Sequence, residues 1–478
     1  MFVAKGLIGG DQIAPPRVGT YERRDVLTGA VVTAAAACGV GEAEDSANAA
    51  ARAFPAWSSL PAAERARLLR AVATLLTSRV EALSASAARE VGAAPEWVQF
   101  NIEIACAMLE QAASLSDAIG ERSVDGGPEG TSYSLRRIPA GVVLGIAPWN
   151  AAITLAVRAV AAPLALGNTV VLKGSELCPK THEIVAQTFL DAGIPPGVLN
   201  YVSNAPEDAN ELVSALIAHP AVRRVNFTGS TRVGREVAIL AAKNLKRCLL
   251  ELSGKATTIV LADADISAAA RAVTHGAFFN QGQICMSTDR VIVEDKAANA
   301  FVMALKQEVE ALQFTSLGQV ISPEAVLRLK GLIDDAVSKG AKVVAGAVSE
   351  GATLHPTILD HVAYGMRVYE EEIFGPIVGV VRVSDADEAV TVANDTEFGL
   401  AAAVLGGDLD HARAIARRIE AGVIHVNGST VYDDPTMPLG GMKASGYGRF
   451  GGMAAIEEFT EIQWITEREK PAETRLGT

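Results

Sequence analysis

Between Val142 and Phe227 short apolar runs alternate with helix-like segments, a rhythm that restricts the chain to a parallel sheet covered by crossover helices. The runs are Val142 to Ile146, Thr169 to Lys173, Val198 to Val202 and Arg224 to Phe227, with Pro179 opening one intervening helix and Glu207 another. A second series begins near Thr257 and continues through Arg290 to Val293, Lys342 to Ala345, Ile377 to Val383, Leu400 to Leu405 and Val423 to Asn427. The expected fold is α/β, with two open α/β domains and a ligand cleft between them. A length of 478 residues, too great for one hydrophobic core, agrees with this division.

Before the first strand series, Glu42 to about Ala118 has helical spacing; in AERARLLRAVATLLTSRVEAL, residues Leu68, Leu69, Val72, Leu75 and Leu76 share one face. Val124 to Leu135 then turns polar and alternating, which suggests a small β-ribbon outside the core and a surface for subunit contacts. The expected boundaries are 1–122 and 140–249 for the first domain, with 441–463 packing back on it, and 250–440 for the second. Residues 123–139 and 464–478 form the ribbon.

A net charge of -13 offers no attraction to nucleic acid or anionic lipid, so the expected partners are small molecules and sister subunits. The five cysteines form no CxxC pair, and the seven histidines show no metal-ligand spacing, so neither a disulfide framework nor a metal site is expected. The opening MFVAKGLIGGDQ lacks the pattern of a signal peptide, and a reducing, cytoplasmic setting fits. Ile138 to Val157 is long and apolar enough to span a bilayer, but Pro139, Gly141, Gly145, Pro148 and Asn150 interrupt it. A strand, a loop and a helix are expected there, not a membrane span.

Three residues suggest chemistry. Cys285 lies in a Gly- and Gln-bearing loop, FFNQGQICMSTDR; a lone cysteine is more often a small buried hydrophobe, the reading given to Cys38, Cys106, Cys178 and Cys248. Glu251 ends an apolar strand in LLELSGK, where burial would raise a carboxyl towards a general base; the competing reading is an ion pair with Lys255 or Arg247. Asn150, in APWNAA, carries an uncharged amide that can stabilise an oxyanion.

PWN, FTGSTRVG, ELSGK, FNQGQICMS, EEIFGP and PLGGMKASGYGR follow one another in the order found in the aldehyde dehydrogenase superfamily, which the chain resembles over nearly its whole length. The resemblance implies Cys285 as nucleophile, Glu251 as base and Asn150 as the side-chain part of an oxyanion hole, the other part being a backbone N–H, that of Cys285. It makes the first domain Rossmann-like and NAD-binding, and the second catalytic. It also implies that the segment from Trp464 pairs with a neighbouring subunit in a dimer or tetramer. Cofactor contacts are expected from Trp149, Lys173, Ser175, Glu176, Gly229, Ser230, Glu372 and Phe374. No GxGxxG follows a strand; the resemblance implies a different arrangement, in which Ser230 and nearby backbone N–H groups of Gly229-Ser230-Thr231 meet the pyrophosphate at a helix start, the alternative being an ordinary N-cap with a turn glycine. Glu176 would accept from ribose hydroxyls and repel a 2'-phosphate, so NAD is expected over NADP. Glu370 to Glu372 also reads as a solvated turn, the reading kept for Glu370.

The wording VRRVNFTGST, FNQGQICMST and SGYGRFG is most similar to bacterial dehydrogenases for aromatic aldehydes of the salicylaldehyde, benzaldehyde and vanillin type. That similarity places Trp97, Phe100, Trp149, Ile284, Met286 and Phe450 along an apolar tunnel, with Arg158 near a polar ring substituent; each is also a candidate for core packing, and Arg158 for an ion pair. Rival readings are a CoA-acylating or an aliphatic or semialdehyde dehydrogenase of this fold, and a non-catalytic binding or structural member. Glu251 disfavours CoA as the acceptor, and Cys285, Glu251 and Asn150 together disfavour the non-catalytic reading. Three departures from the family pattern stand out. Ser253 replaces the usual glycine of ELGGK and either crowds the backbone or caps locally; Gly174 replaces a common proline and should loosen its turn; Gln313 to Ser322 reads as a trimmed surface loop.

Overall fold

The computed structural model describes residues 1–14, 18–312 and 317–470. Part of the trimmed loop, 313–316, and the end of the tail, 471–478, lie outside the described residues.

An eight-stranded sheet runs in the spatial order Gly446–Tyr447, Arg247–Glu251, Val222–Thr228, Val142–Ile146, Thr169–Lys173, Leu199–Val202, Gly6–Ile8 and Asp11–Ile13. Its five central strands are parallel, and the short strands at the two edges are antiparallel. Val142–Ile146 and Thr169–Lys173 are buried at every position, as continuous apolar runs covered by helices on both faces must be. One face packs on helices that include Ala62–Thr77, Pro95–Ser114 and Ala152–Ala165; the other packs on Val40–Ser58, Ala209–Ala218 and Thr231–Lys243. The first three strands fill one side of the sheet in sequence order, and the chain then crosses back to lay Val222–Thr228 against Val142–Ile146. The order reverses between those two strands, and a crevice opens there at the strands' C-terminal ends.

A seven-stranded sheet runs Lys342–Ala345, Thr357–Asp360, Ile377–Val383, Arg290–Glu294, Thr257–Val260, Ala401–Leu405 and Val423–Val426. All its pairings are parallel except the edge pair formed by Lys342–Ala345. Separate apolar clusters cover its two faces.

The apolar stretch from Ile138 resolves into the strand Val142–Ile146, a loop and the helix Ala152–Ala165, and among the described residues no helix is long and apolar enough to cross a membrane. The ribbon is wider than the sequence indicates. Gly120–Val124 and Thr131–Pro139 pair antiparallel, and Thr460–Arg468 adds a third strand in unbroken register from Thr460 opposite Pro139 to Arg468 opposite Thr131. Residues 120–122 and 460–463, assigned from sequence to the first domain, therefore belong to it. The sequence reading also passed over the N-terminal strands, both the three-residue Phe2–Ala4, Gly6–Ile8 and Asp11–Ile13 and the longer Gly19–Arg24 and Val31–Ala37, as well as Thr357–Asp360.

Candidate active site

Four strand ends and two loops converge on one cleft of about 730 Å³. Trp149 and Asn150 follow Val142–Ile146, Ser175 and Glu176 follow Thr169–Lys173, Gly229 and Ser230 follow Val222–Thr228, and Glu251 ends its own strand. Cys285, Glu372 and Phe374 close the cleft from the side of the second sheet. Residues from Trp149 to Glu251 thus share one wall because parallel strands end at the same edge, and the second sheet's side supplies the other.

Glu251 is fully buried and Asn150 nearly so, while Cys285 is half-buried. The Asn150 amide Nδ2 donates to the Gln283 carbonyl at 2.9 Å, two residues before the cysteine. Its backbone carbonyl accepts from the Trp97 indole N–H at 2.8 Å and from Asn280 Nδ2 at 3.1 Å. Burial pushes the Cys285 thiol well above its ordinary value; the Glu251 carboxylate beside it pushes the same way, and the Arg158 charge opposes both. The resting sulfur is therefore a thiol, and its proton needs an acceptor.

The loop carrying Cys285 has an unusual backbone. Asn280, Gln281 and Gly282 have φ of 50°, 57° and 67°, left-handed values that cost non-glycine residues on the order of 1 kcal/mol or more each. A Cβ at Gly282 would lie 2.3 Å from the Gly375 carbonyl oxygen, and one at Gly254 would lie 2.4 Å from the Cys285 carbonyl oxygen. Both glycines are needed so that neighbouring backbone can approach the nucleophile's loop.

Glu251 pairs with neither Lys255 nor Arg247. Its Oε2 receives Arg158 Nη2 at 2.9 Å, while Lys255 reaches Asp289 at 3.3 Å and Arg247 approaches Glu458 at 3.9 Å. Strand geometry explains the difference: Arg247 is at the other end of its strand, and Lys255 lies past the turn towards the second sheet. Lys255 also donates to the Glu371 carbonyl at 2.6 Å, and Asp289 accepts from Ile373 N at 2.8 Å, so this buried pair braces the loop that presents Glu372.

Glu372 accepts from Gly254 N at 2.9 Å, and burial raises its carboxyl to about 7 against the pull of the Ser253 hydroxyl and that N–H. Ser253 does not crowd the backbone; its hydroxyl accepts from Thr231 N at 3.4 Å and bonds Glu372. Phe374 meets Trp149 edge to face at 5.9 Å across the cleft. Lys173 holds Glu176 at 3.1 Å; burial works against the Glu176 carboxylate, but the ammonium prevails and keeps it below its ordinary value. Ser175 Oγ is engaged by Leu177 N at 3.2 Å, and Ser230 caps the helix Thr231–Lys243 by accepting from Val233 N at 3.4 Å while also lining the cleft. Gly174 does not loosen its turn: a Cβ there would fall 2.6 Å from the Tyr201 ring and 2.8 Å from His182 Nδ1.

The expected tunnel residues divide. Trp97, Phe100, Ile284 and Met286 are not among the residues lining the large cleft. Trp97 stacks on Phe100 at 5.4 Å, and both meet Phe279 edge-on at 5.0 and 5.4 Å, an aromatic cluster behind Asn150. Ile284 and Met286 flank Cys285 and are buried in the adjoining core. Phe450 and Arg158 line a separate cavity of about 40 Å³ together with Asp433. Sequence reasoning overlooked Phe279, Asp433 and the left-handed turn at Asn280 and Gln281; only the NQG triplet, rich in turn residues, hinted at any of these.

A family model described as the aldehyde dehydrogenase family matches residues 14–465. Vanillin dehydrogenase of Pseudomonas fluorescens is 49% identical over 97% of this chain and 98% of its own. Salicylaldehyde dehydrogenase of Pseudomonas putida is 46% identical over 94% of each. The crystal structure of a salicylaldehyde dehydrogenase from Pseudomonas putida G7 complexed with salicylaldehyde superposes with a TM-score of 0.97 at 42% identity, covering all of both chains. A cysteine, a buried carboxylate and an amide at one cleft, in a fold shared from end to end with such enzymes, make this chain a member of the aldehyde dehydrogenase family.

Proposed function

We propose that the protein oxidises an aromatic aldehyde to its carboxylic acid, with NAD as the oxidant and Cys285 as the covalent nucleophile. The observation that carries this reading is the meeting of Cys285, Glu251 and Asn150 at the inner end of the one cleft that also holds Lys173, Glu176, Ser230 and Glu372. The donor set suits a dinucleotide. Carboxylates at Glu176 and Glu372 match ribose hydroxyls, the helix start at Thr231 matches a pyrophosphate, and the edge-to-face rings of Trp149 and Phe374 give an apolar wall for a flat heterocycle. When bound, the nicotinamide accepts the hydride lost by the aldehyde carbon.

The chain's own residues do the rest. Glu251 takes the proton of the Cys285 thiol, and the thiolate adds to the carbonyl carbon. The Asn150 amide has two N–H groups; the bond to Gln283 uses one and fixes the plane, leaving the second for the oxyanion. Loss of hydride leaves a thioester on Cys285; Glu251 gives up the thiol's proton through the cleft to solvent and, ionised again, deprotonates the water that hydrolyses the thioester, returning that proton to the departing sulfur.

The aromatic assignment is supported by the names of the relatives and by the apolar, ring-rich surroundings of Asn150 and Cys285. Preference for NAD rests on Glu176, whose carboxylate borders the cleft where a 2'-phosphate would meet like charge. We assign cofactor binding to the eight-stranded unit and thioester chemistry to the seven-stranded one. The ribbon, with Trp464 and Ile462 exposed and Trp464 packed on Tyr133, is assigned to self-association as a dimer or tetramer. The test is a panel of benzaldehydes and short aliphatic aldehydes assayed with NAD and with NADP, with trapped acyl-enzyme mapped by mass spectrometry. Acylation of Cys285 and preference for benzaldehydes with NAD are expected; faster aliphatic turnover, preference for NADP, or an acyl group on another residue would each refute the corresponding part.

A further inference from the structure

Helix Ala152–Ala165 is buried at every position but Ala162, and Arg158 is its only charged residue. A guanidinium in such a helix is costly unless a partner compensates for its lost hydration. The helix lies close to the sheet because Gly145 faces it: a Cβ at Gly145 would sit 3.0 Å from the Ala159 Cβ and 3.1 Å from its carbonyl oxygen. This close approach brings Arg158 to Glu251, 93 residues away in sequence.

The grip is one-sided. Arg158 Nη2 donates to Glu251 Oε2 at 2.9 Å and to Thr228 Oγ1 at 3.3 Å, and the guanidinium carbon lies 4.9 Å from the centre of the Phe450 ring. Among the described residues, neither Arg158 Nε nor Glu251 Oε1 has a hydrogen-bond partner. A pair kept only for packing would gain more from the bidentate fork that Arg and carboxylate readily form. Among the described residues, the charged and titratable groups that interact with Glu251 include Arg158 from the helix, the Cys285 thiol from its loop, and Asp433 from the segment after Thr430. Asp433 lines the small cavity beside the same arginine and feels its charge without an ion pair to it, so one cation acts on two carboxyl groups.

We propose that Arg158 is a positioning residue for Glu251: it anchors Oε2 and leaves Oε1 as the basic atom beside Cys285. The inference rests on the reading of Glu251 as the base. Without the guanidinium, Glu251 loses both its anchor and the opposite charge in contact with it.

The experiment compares kcat and the rate of acyl-enzyme hydrolysis against pH for the parent, Arg158→Met, Arg158→Lys, Asp433→Asn and Glu251→Gln. Arg158→Met should move the acid limb up by about 1–3 pH units, the effect of one opposite charge at contact, and lower kcat at neutral pH by roughly 10- to 100-fold. Raising the pH should restore most of that loss, with KM for the aldehyde changing less than about threefold and Arg158→Lys rescuing part of it. Should Arg158→Met fold poorly, Asp433→Asn still reads the same device in the opposite sense, because the arginine then serves Glu251 alone and the acid limb moves down. An unmoved limb in either variant overturns the proposal. Glu251→Gln separates the two ideas: continued hydrolysis in that variant overturns the base assignment itself, whereas its inactivity beside an unmoved Arg158→Met profile overturns only the positioning role.

Discussion

Replacing Asn150 by alanine tests the oxyanion site with the least disturbance to its surroundings. The residue's backbone is anchored independently of its side chain, since its carbonyl is held by Trp97 Nε1 and Asn280 Nδ2. The substitution therefore removes the amide and leaves the loop in place. Two costs follow. The Gln283 carbonyl loses the donor now 2.9 Å away, worth about 1–3 kcal/mol of stability at a buried site. Loss of one oxyanion donor costs about 2.7–4 kcal/mol of transition-state stabilisation, or roughly 100- to 1,000-fold in rate. Stopped-flow measurement of the first turnover reports the acylation rate directly, and a thermal melt reads the stability cost separately. A first-turnover rate within about threefold of the parent, in a variant shown to be folded, would refute the assignment of Asn150 to the developing charge.

Other perturbations have equally definite outcomes. Burial holds the Glu372 carboxyl at about 7, above its unfolded value, so its contribution to stability is present in acid and lost as pH rises through about 7. On the proposed role of Glu372 as ribose acceptor, the same titration should make KM for NAD fall as pH rises through that value, and Glu372→Gln should abolish the dependence in initial-rate profiles. Gly174→Ala should destabilise the fold by about 1–3 kcal/mol in denaturant titrations, because its Cβ meets the Tyr201 ring at 2.6 Å. Lys255→Met leaves Asp289 buried without its counter-ion and should cost about 3–5 kcal/mol by the same measurement, with weaker NAD binding as the Glu372 loop loosens.

Much of the site could be read from the chain because its chemistry is tied to local motifs. Cys285 in a Gln- and Gly-rich loop, Glu251 at a strand end and Asn150 after an apolar strand are each specified by a few adjacent residues, and the structure brings all three to one cleft. The parallel sheets were legible for a similar reason, since strands buried on both faces must be continuously apolar. Short edge strands such as Asp11–Ile13 and Lys342–Ala345 differ: the first was passed over and the second was seen as a strand, but its antiparallel direction was not.

The sequence by itself determined the kinds of groups present and the order in which strands and helices follow one another, because side-chain chemistry and hydrophobic period are properties of neighbouring residues. Only the tertiary structure decided which groups touch. Lys255 and Arg247 were the plausible partners of Glu251 by proximity in the chain, yet Arg158 takes that place from a helix 93 residues earlier. Trp97 and Phe100, read as possible tunnel wall, pack with Phe279 behind Asn150. In each case the deciding quantity was the distance between surfaces of separate elements. Packing sets that distance, and no run of adjacent residues encodes it.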